Sequence, residues 1–226
     1  MRDPLVTVAA ADSPLFPINV ALDRQRVLLV GGGPIATRKL DALRAAGARV
    51  TIVSPSATPE IEALDRAGAV RWHRREYRRG EVASYRLAVT ATGVAEVDQR
   101  VYLDADAAGV WVNSADDPGN CTFALPAVVR RGDLTVSVST NGRSPALASW
   151  VRRQLDERLG PELLPLLDLL VETRTEMRES GRPTEVAGWS EAFDDGLHGL
   201  VLLGDLDAAR ALLRRRLQLD HDEERA

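Results

Sequence analysis

The chain has 226 residues, a formal net charge of −4 and one lysine, Lys39, among its 29 lysines and arginines. Arginine-favouring codon usage is the ordinary explanation of that skew. It still excludes a Walker phosphate loop, because Leu40 follows Lys39, and a Tyr-x-x-x-Lys pair, because Tyr77, Tyr85 and Tyr102 all come later. Mild acidity argues against a general nucleic-acid binder, and no apolar run approaches the ~18 residues of a membrane span.

The N-terminal stretch MRDPLVTVAAADSP makes a poor signal peptide and reads as a loose start. The single cysteine, Cys121, forms no internal disulfide, so a reducing cytoplasm is the expected location. Arg26 to Val30 is a near-continuous apolar run, the signature of a strand buried on both faces, and it ends in Gly31-Gly32-Gly33. Residues 34 to 46 follow helical spacing, with Lys39 on a solvated face, and Gly47 closes that helix. A Schiff-base enzyme would have to use that lysine. Val50 to Val53 is a second strand, 58 to 67 a short helix, Val70 to His73 a weaker strand and Leu87 to Gly93 a fourth. Residues 94 to 108 make a helix before a fifth strand, Val110 to Asn113. Strands alternating with helices across short glycine turns imply a parallel sheet with right-handed crossovers.

After residue 117 the pattern changes. Residues 122 to 129 and 134 to 139 read as two strands around a Gly-Asp turn, and from Ser144 onward the chain is helical, with a frayed ending from His221. The expected architecture is therefore α/β. It has a doubly wound, Rossmann-type domain over 1–117, a small β dimerisation segment over 118–143 and a C-terminal helical domain over 144–226. Two strands cannot cover themselves, so a homodimer is expected.

Gly31-Gly32-Gly33-Pro34-Ile35-Ala36 fits G-x-G-x-x-G/A and gains its weight from position, after a buried strand and at the start of a helix. Gly31 permits the tight turn, Gly33 lets a pyrophosphate approach the backbone, and Ala36 keeps helix and strand close. The second strand ends in Ser54 with no acid before Glu60 and no arginine beside it in sequence. The choice of NAD over NADP follows from that weak ground. The fifth strand empties into Asn113-Ser114-Ala115-Asp116-Asp117-Pro118, where ligands of doubly wound sheets bind. Asp116-Asp117-Pro118-Gly119 reads either as an ordinary turn or as a reactive carboxylate site.

The runs VLLVGGGPIATRK (27–39), VNSADDPGNCTFALPA (112–127) and SVSTNGRSPALA (137–148), in this order, resemble the precorrin-2 dehydrogenase family of siroheme synthesis. That family includes stand-alone enzymes and the N-terminal module of trifunctional siroheme synthases, and Phe16-Pro17 and the helical tail also fit. The resemblance implies NAD-dependent oxidation of precorrin-2 to sirohydrochlorin. Some members also insert ferrous iron, and the methyltransferase domain of the trifunctional form is not expected within these residues. It assigns the essential aspartate to Asp116, with Asp117 the weaker candidate. It assigns cofactor contacts to Gly31, Gly33, Pro34, Ile35, Pro55, Ser56 and Thr92, and substrate contacts to Asn113, Ser139, Thr140, Asn141, Gly142 and Arg143. Relatives often carry serine and glycine in place of Thr140 and Asn141.

Asp116 would serve either as proton acceptor or as orienter of the ring. A polycarboxylate substrate asks for cations, with Arg143, Arg152 and Arg153 the candidates. His73, His198, His221 and Cys121 show no metal-ligand spacing, so no protein-bound metal is expected. A non-catalytic NAD-binding sensor is the rival reading. No nucleic-acid or membrane partner is expected.

Overall fold

The computed structural model describes residues 5–115 and 117–219. They divide into two compact units: those up to Pro126 with Ser139–Pro145, and Ala127–Val138 with those from Ala146 on.

The first unit is built on a five-stranded parallel sheet in the order β3-β2-β1-β4-β5. The elements are β1 (Arg26–Val30), α1 (Pro34–Ala45), β2 (Arg49–Val53), α2 (Pro59–Arg66), β3 (Arg71–His73), β4 (Leu87–Thr90), α3 (Ala95–Ala108) and β5 (Trp111–Ser114). The continuous apolar run of β1 makes it the central strand, since only a strand covered on both faces buries all of Val27 to Val30. Alternate side chains divide between two cores. Leu29, Ile52 and Val89 meet Leu40 of α1 and Ile61 of α2, while Leu28, Val53 and Ala88 meet Val101 and Ala105 of α3. The chain runs outward through β2 and β3, then returns to place β4 on the other side of β1. That reversal opens a crevice at the carboxyl ends of β1 and β4.

Three sequence expectations shift. The fourth strand ends at Thr90, because the hydroxyl of Thr92 turns inward to accept the Val94 N–H, and Gly93 takes a left-handed φ of +69°. Thr122 does not begin the sixth strand; it returns alongside β5, its N–H donating to the Val112 carbonyl at 2.8 Å. The loose start is instead tied down, since the Leu5 N–H donates to Asp106 Oδ1 and the Val8 N–H to the Cys121 carbonyl, both at 2.7 Å.

In the second unit, β6 (Ala127–Arg131) and β7 (Leu134–Val138) form an antiparallel hairpin. Arg130 and Arg131 pair with Thr135 and Leu134 and so belong to the strand, which leaves Gly132-Asp133 as the turn. The Arg131 guanidinium holds the hairpin to α4 (Pro145–Arg158), donating to the Asp156 carboxylate at 2.8 Å and to the carbonyls of Asp156 and Leu159. Four further helices follow: α5 (Leu163–Glu179), α6 (Gly188–Asp194), α7 (Leu197–Leu202) and α8 (Leu206–Arg216). Their core is aliphatic, with Leu169 and Met177 packed among Leu197, Leu212 and Leu213. The start of α6 passes so close to the end of α8 that a Cβ on Gly188 would lie 2.4 Å from the Arg216 carbonyl oxygen.

Backbone at that contact cannot yield as a flexible side chain would. Gly188→Ala should therefore destabilise the protein by about 1–3 kcal/mol, the range for overpacking, although alanine is the better helix former. Urea unfolding of the two proteins checks this, and equal or higher stability of the alanine variant would contradict the packing described.

Candidate active site

The glycine turn crosses the carboxyl end of β4. Gly31 has φ +119°, and a Cβ there would lie 2.2 Å from the Ala91 carbonyl oxygen. A Cβ on Gly32 would meet the Ser56 carbonyl oxygen at 2.1 Å, a close approach that the fingerprint does not anticipate. Gly33 differs from both: its φ is an ordinary −82°, and a Cβ there would have nothing within 4 Å. Its bareness leaves space outside the protein rather than room for another part of it. Gly33 is also the N-cap of α1, without a side-chain cap and with no acid in the first turn, so the helix end presents free N–H groups and a partial positive charge. Pro34, whose missing N–H costs nothing at this position, and exposed Ile35 follow, while Ala36 is fully buried against the sheet. A bare backbone cradle at a helix N-terminus fits the pyrophosphate of a dinucleotide.

Pro55 and Ser56 lie exposed just after β2, beside this turn. Ser54 is buried, and its carbonyl accepts the Trp72 indole N–H at 3.0 Å. The Arg74 guanidinium carbon lies over the Trp72 ring, 4.2 Å from its centroid, so the fold brings a guanidinium to this end of the sheet that local sequence around Ser54 does not reveal. The hydroxyl of Thr92 donates to Asp98 at 2.7 Å, and its backbone lies against Gly31.

The loop that carries Asp116 and Asp117 in sequence leaves β5, two strands away from β1. Asp116 lies outside the described residues; its chain neighbours are held on both sides. The Ala115 N–H donates to the Thr90 carbonyl at 2.9 Å. Both carboxylate oxygens of Asp117 are committed, one accepting the Gly119 N–H at 2.8 Å and the other the Asn120 amide at 2.9 Å. Asp117 thus caps the short turn Pro118–Asn120. Asn113 is buried, and its amide donates to the Phe123 carbonyl at 2.9 Å and reaches Cys121 Sγ at 3.5 Å. The Cys121 sulfur accepts the Ser114 N–H at 3.1 Å and lies 3.2 and 3.3 Å from the carbonyl oxygens of Ser114 and Asp117. These polar contacts close the loop. Burial pushes its thiol pKa up, with Asp117 adding to the rise, while the Ser114 N–H and the charge of Lys39 oppose it. Lys39 is half-buried rather than fully solvated, and its charge is felt at this loop. The hydroxyls of Thr90 and Ser114, adjacent across β4 and β5, are buried with no hydrogen-bond partner among the described residues.

The 139–144 loop folds on itself. Ser139 Oγ accepts the Asn141 N–H, Thr140 Oγ1 accepts the Ser144 N–H, and the Thr140 carbonyl accepts the Arg143 N–H. Asn141 (φ +52°) and Gly142 (φ +75°) are both left-handed, a region that asparagine enters more readily than other side-chain-bearing residues. Arg143 is exposed and has no ion pair among the described residues. Arg152 is paired with Asp156 at 3.6 Å, and Arg153 is exposed. His73 sits on β3, His198 lies beside Glu162 at 3.6 Å, and His221 is outside the described residues. Among the described residues no group of three or more His, Cys, Asp or Glu is arranged to hold a metal.

The two outer glycines of the turn should fail differently. Gly31→Ala should lower stability by at least about 1 kcal/mol through its backbone conformation and collision. Gly33→Val should leave the melting temperature unchanged and weaken NAD+ binding by about 100-fold, the cost of filling the pyrophosphate space. Calorimetry and NAD+ titration read both, and unchanged NAD+ affinity in Gly33→Val would remove the cradle assignment.

An NAD(P)-binding family model matches residues 18–127, and one described as sirohaem biosynthesis protein central matches residues 131–158. Siroheme synthase 1 of Aeromonas salmonicida is 40% identical over 148 residues, covering 66% of this chain and 32% of that protein. Siroheme synthase 1 of Cronobacter sakazakii is 32% identical over 221 residues, covering 89% of this chain and 43% of its own length. The chain thus spans less than half the length of these curated relatives. Among solved structures, that titled SirC, precorrin-2 dehydrogenase superimposes with a TM-score of 0.69 at 24% identity, covering 90% of this chain and all of that one, and shares the fold. The chain is thus similar to siroheme synthases over most of its own length, with its residues 18–127 and 131–158 matching the NAD(P)-binding and sirohaem-biosynthesis central models.

Proposed function

We propose that the protein oxidises precorrin-2 to sirohydrochlorin with NAD+ as acceptor. The observation that carries this reading is the shared carboxyl edge of one sheet. A bare helix N-terminus follows β1, and a loop braced from both sides of Asp116 follows β5. The names of the relatives and of the solved neighbour point the same way.

A bound nicotinamide supplies the hydride acceptor for the two-electron oxidation. The protein's part is to bind, orient and take the proton. Gly33 and the first turn of α1 would hold the pyrophosphate, with Pro34 and Ile35 beside it, and Pro55, Ser56 and the Thr92 backbone would flank the rest of the dinucleotide. Asp117 is spent on its turn, so the proton released as the tetrapyrrole loses hydride passes to Asp116. The 139–143 loop and Arg143 receive substrate carboxylates. NAD rather than NADP is the assigned cofactor, because no arginine stands beside Ser54 in sequence and Arg74 is laid on the Trp72 ring. Ferrous iron is assigned only as a second substrate, its insertion aided by the same aspartate. The hairpin has two strands and an exposed Val128, and we assign it to pairing with a second copy, giving a homodimer. No helix among the described residues is long and apolar enough to cross a membrane, and the cytoplasm is the assigned location.

Asp116→Ala should keep NAD+ affinity within twofold of wild type and lose about 100-fold or more in anaerobic precorrin-2 oxidation, the usual weight of a general base. Asp116→Asn, which can orient but not accept a proton, should be as inactive as the alanine variant. Full turnover by Asp116→Ala would remove Asp116 as the proton acceptor, whereas NAD+ binding by the wild-type protein with no turnover would leave the NAD-binding sensor as the better reading. Titrating NADP+ beside NAD+ tests the cofactor assignment, added ferrous iron tests siroheme formation, and light scattering tests the dimer.

A further inference from the structure

A cavity of about 470 Å³ lies in the first unit, between the N-terminal segment and the two loops assigned to chemistry and substrate. Pro118, from the turn that Asp117 caps, forms one side, and Asn141, Gly142 and Arg143 form another. The remaining side is the segment Val8–Leu15, a stretch with no recognisable motif that read as a loose start. The structure holds it in place. The Val8 N–H donates to the carbonyl of Cys121, the residue whose sulfur closes the reactive loop, and the Leu5 N–H donates to Asp106. A Cβ on Gly142 would lie 3.8 Å from Val8 Cγ1, so the segment and the substrate loop are near neighbours.

We infer that Val8–Leu15 is a wall of the tetrapyrrole site and sets which edge of the substrate enters. This rests on the dehydrogenase reading above. The volume falls in the ordinary range for small-molecule sites. Its chemistry is divided: Val8, Pro14, Leu15 and Pro118 offer apolar surface to a ring edge, while Arg143 offers an unshared cation to a peripheral carboxylate. Asp12, also at this cavity and without an ion pair among the described residues, has the opposite effect. A carboxylate arm directed at it meets like charge, so the arm is turned toward Arg143. The segment thereby selects orientation by repulsion as well as by attraction.

The test uses two exposed positions whose replacement leaves the cores and the glycine turn untouched. Ser13→Trp introduces an indole into the cavity. It should weaken sirohydrochlorin binding, measured by absorbance titration without NAD+, by about tenfold or more. In the anaerobic assay the loss should fall on KM for precorrin-2 rather than on kcat, with NAD+ affinity unchanged. Asp12→Asn removes the repulsion and should tighten sirohydrochlorin binding by about twofold to fivefold. Wild-type affinity and KM in both variants, with a wild-type enzyme that turns over precorrin-2, would overturn the inference and leave the dehydrogenase reading standing. Failure of the wild-type protein itself to bind or oxidise the tetrapyrrole would remove both.

Discussion

The close passage of the Gly31 turn over the end of β4 is the contact on which the rest of the site depends. The backbone at Gly31 approaches Ala91 so nearly that no side chain fits between them, and this contact directs the N-terminus of α1 across the crevice beside β1. Because the sheet is parallel, the loops after β1, β4 and β5 all leave from the same edge. The parallel sheet therefore brings the glycine turn and the loop after β5 to the same edge, and the Gly31 contact sets the turn's place there. The buried glycine contacts are structural, whereas Gly33 faces open space, and the fingerprint contains both kinds of glycine within three residues.

The reactive loop is organised by polar groups that sequence patterns rank low. Asn113 and Cys121 are buried and satisfy backbone groups that would otherwise lack partners, while exposed Asp117 caps its own turn. Burial raises the Cys121 pKa, which keeps the group a neutral thiol able to donate as well as accept. Two neighbouring aspartates can thus take different tasks. Asp117, with both oxygens bonded to its own turn, serves as a brace, and under the proposed function its neighbour Asp116 takes the proton.

Most of the first unit was legible in the sequence because its signals are local. Buried apolar runs marked β1 and β2, glycine marked the helix ends, and the position of Gly31–Ala36 between strand and helix located the cofactor turn. The rest depends on contacts distant in sequence. Nothing near Ser54 announces Arg74, which reaches it only through Trp72 on the neighbouring strand. Val8–Leu15 carries no periodicity, yet long-range hydrogen bonds place it beside the substrate loop. The hairpin groups with the helices through Arg131, whose partners lie 25 and 28 residues further along the chain. Lys39 served at the sequence level to exclude chemistries; in the fold it is half-buried, and its charge acts on the reactive loop without forming part of a Schiff-base site.

The most direct test of this account is stoichiometric. Purified protein is mixed anaerobically with NAD+ and precorrin-2, and NADH and sirohydrochlorin are followed together by absorbance. The account predicts that the two products rise in equal amounts until precorrin-2 is exhausted. Tight NAD+ binding with no NADH formed and precorrin-2 unchanged would contradict it.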